Sequence, residues 1–324
     1  MSSEQVLEAL AAHRTSARGA GLVSVHEHVG SELLYQDNPG RHLYRQDLTE
    51  LAGVLDGARQ ALEVGDARTA VLTLPMPFYR TFKPACTRTD PATAVAESDA
   101  RNDALIAACA GWRRADVSPL VALLADPARP AKLFTERYAL WLPAVSALKW
   151  HPPAAGTPVV EYVRGGYLDL AAELEVPLIV HCSPAGRLGD LDEILRDLLP
   201  EADRLGVRVS IAHAAFLNAA VSRVAEYPSA YLEVSPWEVI RQRTVGDVPE
   251  PPDELLIRLL RQHPGRVVFS LDTPWHRQPW DDGRVLGVEV AATCARLRAS
   301  AEAAGVALDE VIRVNPGRLL WGGW

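Results

Sequence analysis

The sequence predicts a single (β/α)8 TIM barrel, and three observations carry that expectation. Eight short apolar stretches alternate with eight helical ones along the 324 residues, which implies parallel strands joined by crossover helices. Several of the strands are continuously apolar, as needed when helices cover the outside of a sheet and side chains fill its inside. No strand runs into G-x-G-x-x-G or G-x-x-x-x-G-K, the turns that would point to a doubly wound open sheet instead.

A polar–apolar helix over residues 4–18 leads to a first strand at about 21–26, where Leu22-Val23-Ser24-Val25 runs into His26-Glu27-His28 and Gly30. A helix from about Asp47 to Val64 carries leucines at 51, 55 and 62, and Ala70-Val71-Leu72-Thr73-Leu74 forms the second strand. Helix 95–111 precedes the third strand, 117–124. Helix 130–142 precedes the fourth, 144–151, which stops at Pro152-Pro153. Helices 158–174, 189–205 and 218–226 lead in turn to strands 177–182, 207–213 and 230–235. Helix 252–263 leads to the eighth strand, 267–272, and helix 284–303 closes the series. No Gly/Ser-rich linker, low-complexity tract or repeat interrupts the pattern. Residues 1–324 therefore read as one domain, with an N-terminal helix in 1–20 and a C-terminal helix in 305–324.

Composition narrows the function. Apolar residues make up 48% and charged residues 23%, the balance of a globular protein with a large core. A net charge of −8 without a basic stripe argues against nucleic acid as a partner. No run approaches about 18 apolar residues, so no membrane span is expected. Cys86, Cys109, Cys182 and Cys294 lack C-x-x-C spacing and read as reduced thiols of a cytoplasmic protein. Residues Met1 to Gln5 open a helix and do not resemble a signal peptide. The expected partner is a small-molecule substrate, and homo-oligomerisation is left open.

Along a strand, side chains alternate faces, so His26 and His28 point one way and Glu27 the other. Two imidazoles about 7 Å apart and aimed into one space can share a divalent cation. Of nine histidines, His26, His28, His151, His181 and His213 fall at or just past the C-terminal ends of strands one, four, five and six. Asp272 ends strand eight, and Lys149 is near the end of strand four. In a barrel of this type the C-terminal rim holds the active site, so residues far apart in sequence converge there. Any one histidine reads most simply as a hydrogen-bonded core or rim residue, but five at strand ends with an aspartate do not. His13, His42, His263 and His276 fall on helices or loops and read as solvated or rim residues, with His276 able to approach the site. Tyr79 and Arg80 after strand two, Trp237 after seven and Trp275 after eight suggest a partly aromatic pocket with a handle for a carboxylate. Glu233, Ser235 and Ser183 are placed to orient the histidines.

These residues and their flanks resemble the amidohydrolase superfamily of metal-dependent hydrolases over the whole chain. Leu148-Lys149-Trp150-His151-Pro152 looks like the G-[VI]-K-[LF]-H-P stretch of the amidohydrolase-related branch. Phe269-Ser270-Leu271-Asp272-Thr273-Pro274 looks like that branch's F-G-S-D-x-P, and Asn315-Pro316-Gly317-Arg318-Leu319-Leu320 like its C-terminal N-x-x-R-L-L. The TatD-type branch fits less well, because its G-E-I-G-L-D stretch is missing and Lys149 stands on strand four. The resemblance implies an amidohydrolase-type barrel with a metal held by His26, His28, His181 and Asp272. Three neutral nitrogens and one carboxylate suit Zn²⁺, with another divalent transition metal as the alternative. One ion is favoured, Asp272 serving as ligand and proton shuttle and His213 acting on the substrate. In a two-ion site His213 would be a ligand and a carboxylated Lys149 the bridge. His151, Tyr79, Arg80, Trp237 and Trp275 are the expected substrate-binding residues. The implied activity is hydrolysis of an amide, lactam, ester or lactone in a small molecule. The alternative is non-oxidative decarboxylation of an aromatic carboxylate, which keeps the same ligands. A binding module without activity would be the better reading had the ligands been lost, and all four are present.

Overall fold

The computed structural model describes residues 1–31, 45–65, 67–77, 90–213, 219–235, 237, 251–274 and 290–323. Eight parallel strands run through them in sequence order: β1 (Leu22–Ser31), β2 (Thr69–Pro75), β3 (Val117–Leu124), β4 (Ala147–Trp150), β5 (Leu178–Val180), β6 (Val209–Ile211), β7 (Ala230–Glu233) and β8 (Val267–Val268). Each pairs in parallel with the next. The chain just past β8 then returns to β1 through two backbone hydrogen bonds, His28 N to Thr273 O at 2.8 Å and Asp272 N to His26 O at 3.0 Å. These bonds link the last strand to the first, and the sheet is the (β/α)8 barrel that the sequence predicts. A two-residue strand, Arg45–Gln46, which the sequence reading does not anticipate, pairs antiparallel with the end of β1.

β1 carries a register irregularity that reconciles its two tasks. Val23 pairs with Ala70 and His28 with Leu74, so β1 uses five steps where β2 uses four. The extra residue between Ser24 and Glu27 is a bulge, and a bulge exchanges the two faces of a strand. Before it, Val23 and Val25 pack with Ala70, Leu72, Leu120 and Ile179 inside the barrel. After it, the interior face passes to His26 and His28, while Ser24 and Glu27 come to share the outer face. The C-terminal Leu319 and Leu320 join the same inner cluster. The larger apolar cluster lies between strands and helices and includes Leu51, Leu55 and Leu62, the leucines whose spacing marks the second helix.

The helices follow the predicted order with local departures. Helix Ser3–Ala17 is opened by a capping box between Ser2 and Gln5, and Leu48–Leu62 by one between Asp47 and Glu50. The stretch 158–174 forms two helices, Val159–Arg164 and Tyr167–Glu173, because Gly165 and Gly166 intervene and Gly166 takes φ +82°. The stretch 130–142 is helical only over Ala131–Tyr138, followed by a 3₁₀ turn at Leu142–Ala144. Residues 219–226 form a 3₁₀ rather than an α-helix. The predicted 284–303 helix is seen as Val290–Ala304, its first residues lying outside the described ones. Strands four, six and eight are shorter than expected. His151 is the N-cap of a short helix, Pro152–Ala155, while His213 (φ +64°) and Asp272 (φ +52°) leave the extended region altogether. Side chains past a strand end are no longer bound to its alternation, so they can turn to face one another.

Asn315, buried at the head of helix Asn315–Trp321, donates through Nδ2 to Pro264 O and Val267 O, fixing the entry to β8. Asn315→Ala removes both bonds and should cost about 1–3 kcal/mol in chemical denaturation. An unchanged stability would contradict this role for the Asn315 motif.

Candidate metal centre

Two imidazoles and one carboxylate meet at the C-terminal end of β1 and β8. His26 Nδ1 lies 3.1 Å from Glu233 Oε2, and His28 Nδ1 lies 3.1 Å from Pro75 O. A carboxylate and a carbonyl both need a donor, so each ring carries its proton on Nδ1 and leaves Nε2 with a lone pair. Both Nε2 atoms stand 3.5 Å from the same atom, Asp272 Oδ1. That oxygen is buried and has no hydrogen-bond partner among the described residues. The three donor atoms lie within 4.8 Å of one another, close enough to share an ion. Two nitrogen lone pairs and an orphaned carboxylate oxygen in a buried site fit a first-row divalent cation.

The electrostatics follow from burial. His26, His151 and His181 are held well below the usual imidazole range and His28 is pushed down to about 3, in each case chiefly by desolvation. The rings are therefore neutral and available as ligands. Desolvation also drives the Asp272 carboxyl well above its ordinary value, with the Glu233 charge adding to it. Lys149 is pushed down to about 8 by burial, against the attraction of Asp272 and Glu233. Its Nζ sits 3.1 Å from His26 Nε2, the nitrogen that also faces Asp272.

His213 and His181 extend the group. His213 Nδ1 is 2.8 Å from Ser235 O, and its Nε2 is 3.0 Å from His181 Nδ1. The carbonyl assigns a proton to His213 Nδ1, so His181 Nδ1 donates to His213 Nε2 and keeps its own Nε2 lone pair. His213 Nδ1 is also 3.8 Å from Asp272 Oδ2. Through His213, His181 is linked to the trio of His26, His28 and Asp272. His151 stacks on His181 with ring centres 4.1 Å apart and accepts from Ala154 N at 3.2 Å.

Glu233 is the hub behind these rings. Besides His26 it accepts from the Ser270 hydroxyl and from His213 N at 3.3 Å. Burial lifts its carboxyl to about 7. A second trio, His26, His213 and Glu233, also lies within ligand reach. Glu233 already holds the His26 Nδ1 proton, so it reads as the group that orients His26.

The structure brings together His26, His28, Lys149, His151, His181, His213 and Asp272. Trp237 is buried, packs in the larger apolar cluster and donates from Nε1 to Asp253 at 3.2 Å. Tyr79, Arg80 and Trp275, with His42 and His276, lie outside the described residues. Glu27, Thr273 and Gln46 form a buried network that sequence reasoning missed. The one available signal was a charged residue set between two histidines of a buried strand.

In fold the chain is an amidohydrolase-type barrel. No protein-family model matches it, and no curated protein sequence does. Among solved structures, 5-carboxyvanillate decarboxylase from Novosphingobium aromaticivorans, with bound manganese and 3-methoxy-4-hydroxy-5-nitrobenzoic acid, is similar over 94% of this chain and 97% of that one, at 13% identity and a TM-score of 0.51. An apo structure from Agrobacterium tumefaciens is similar over 94% of this chain and 97% of that one, at 14% identity and a TM-score of 0.50. Dihydroorotase from Campylobacter jejuni is similar over 95% of this chain and 83% of that one, at 12% identity and a TM-score of 0.49. Among the described residues no helix is long and apolar enough to cross a membrane.

If Glu233 orients His26 for a metal, Glu233→Ala should weaken divalent-metal binding by about 10- to 100-fold. The double variant His26→Ala/His28→Ala should retain no stoichiometric metal. Elemental analysis and calorimetric titration check both, and a double variant with full occupancy would contradict the assignment.

Proposed function

We propose that this chain is a cytoplasmic, single-domain metal-dependent hydrolase of the amidohydrolase superfamily, cleaving an amide, lactam, ester or lactone in a small molecule. The observation that carries this reading is the buried, unpartnered Asp272 Oδ1 facing two imidazole lone pairs. An unpaired carboxylate in such a place costs several kcal/mol unless a cation joins it. His26, His28, His181 and Asp272 would hold that ion, with Zn²⁺ the best match to three neutral nitrogens and one carboxylate.

A bound divalent ion supplies the Lewis acidity that makes water nucleophilic near neutral pH. The rest of the chemistry belongs to the chain. Asp272 takes the proton of the attacking water and returns it to the leaving group. His213 is fixed at Nδ1 by Ser235 O, and it polarises the scissile carbonyl when its Nε2 gives up the bond from His181 Nδ1 and takes a proton instead. His151, stacked on His181, orients the substrate beside the reacting group. Tyr79, Arg80 and Trp275 remain assigned to the substrate wall on sequence grounds. We favour one ion, because no carboxylate from β3 or β4 offers a bridge.

Decarboxylation of an aromatic carboxylate is the second reading. Its support is that a decarboxylase with bound manganese and a substituted benzoic acid has this fold. A panel of lactones, amides and aryl carboxylates separates the two, since hydrolysis produces new acid and decarboxylation releases CO₂. The hydrolase reading expects turnover of a lactone or amide without CO₂ release; CO₂ from an aryl acid alone would contradict it. With a substrate found, His213→Ala should lower kcat by roughly 10²-fold or more. Asp272→Asn should lose more turnover than metal, and Lys149→Ala should keep about one metal per chain. Two metals in the parent, falling on Lys149→Ala, would contradict the single-ion site.

A further inference from the structure

We propose that Glu27, the residue between the two β1 histidines, is a positioning residue that sets the geometry of Asp272. The inference rests on the metal-site reading of Asp272. The bulge in β1 turns Glu27 away from the barrel interior, where it is fully buried on the outer face. From there its carboxylate reaches the two residues that flank Asp272. Leu271 N donates to Oε1 at 2.8 Å and Thr273 N to Oε2 at 2.8 Å. Thr273 Oγ1 adds a bond to Oε2 at 2.7 Å, and Ser24 Oγ one to Oε1 at 2.5 Å. Residues three apart in a regular strand face opposite ways, so Ser24 reaches Glu27 only because of the bulge. Gln46 Nε2 completes the clamp, donating to Thr273 Oγ1 at 2.6 Å and to His28 O at 2.8 Å.

Each oxygen of Glu27 therefore accepts two hydrogen bonds, which satisfies it as an anchor and leaves it no part as a ligand. Between the two anchored N–H groups, Asp272 adopts φ +52°, a left-handed conformation that a non-glycine residue enters at a cost. Its own N–H is committed to His26 O at 3.0 Å. With the N–H groups of Leu271 and Thr273 tied to one carboxylate and that of Asp272 to His26 O, the backbone around Asp272 is held by Glu27 and β1 rather than by the β8 ladder, which ends at Val268. Glutamine cannot substitute for this group. Whichever oxygen becomes an amide nitrogen turns its N–H groups toward a backbone N–H, a donor that cannot reverse as the neighbouring hydroxyl can.

Co²⁺ added to metal-free protein is the probe, because it reports affinity and, through its visible absorption, ligand geometry. Glu27→Gln should bind Co²⁺ about 10- to 100-fold more weakly than the parent and with an altered spectrum. Thr273→Val removes one of the four bonds and should move both readings the same way by less, which also covers a Glu27→Gln chain that fails to fold. Phe134→Leu, packed against Tyr138 and Tyr167 in the outer core, should lower the melting temperature yet keep the parent's Co²⁺ affinity and spectrum. Parent-like Co²⁺ binding in Glu27→Gln or, where that chain does not fold, in Thr273→Val overturns the clamp. So does an equal loss of affinity in Phe134→Leu. A parent that takes up no Co²⁺ overturns the metal reading, and the clamp with it.

Discussion

A carboxylate oxygen buried among imidazoles, with nothing to bond, is the constraint on which the site depends. Asp272 Oδ1 lies 3.5 Å from the Nε2 atoms of His26 and His28, and burial disfavours charge on all three groups. A folded chain tolerates that arrangement when a cation completes it or when the carboxyl keeps a proton. Everything around the trio limits the freedom of its members. Glu233 and Pro75 O fix the tautomers of the two rings, and the segment bearing Asp272 is also the segment that closes the barrel onto β1. Closure of the fold and assembly of the site are thus one event, carried by the same backbone bonds.

β1 shows how a single strand serves two environments. Its first half must fill the barrel with apolar side chains, and its second half must present ligands to the rim. One extra residue between Ser24 and Glu27 changes the interior face from odd to even positions, so Val23, Val25, His26 and His28 all point inward. The same step brings Ser24 and Glu27 together on the outside, where they meet the chain after β8. The bulge is therefore part of the site, since His26 lies within it.

Much of this was legible in the sequence because it depends on periodicity and order. Strand–helix alternation, apolar strands and histidines at strand ends located the fold and the rim, and His26, His28, Lys149, His151, His181, His213 and Asp272 do converge. What was not legible depends on departures from regular backbone. Alternation assigned Glu27 to the opposite face correctly but gave no sign that a bulge would bring Ser24 to it, or that Leu271 and Thr273 would bond to it across more than 240 positions. His213 and Asp272 adopt positive φ, which no local pattern announces in a non-glycine residue. The glycine pair at 165–166 was visible, yet helical periodicity on either side concealed the break.

The measurement that tests the metal centre most directly is anomalous diffraction from crystals of protein purified without chelator, collected on both sides of the absorption edge of the metal found by elemental analysis. The account expects one strong difference peak per chain within ligand distance of His26, His28 and Asp272. A chain free of any such peak there, or one whose metal lies only on exposed carboxylates, would contradict it.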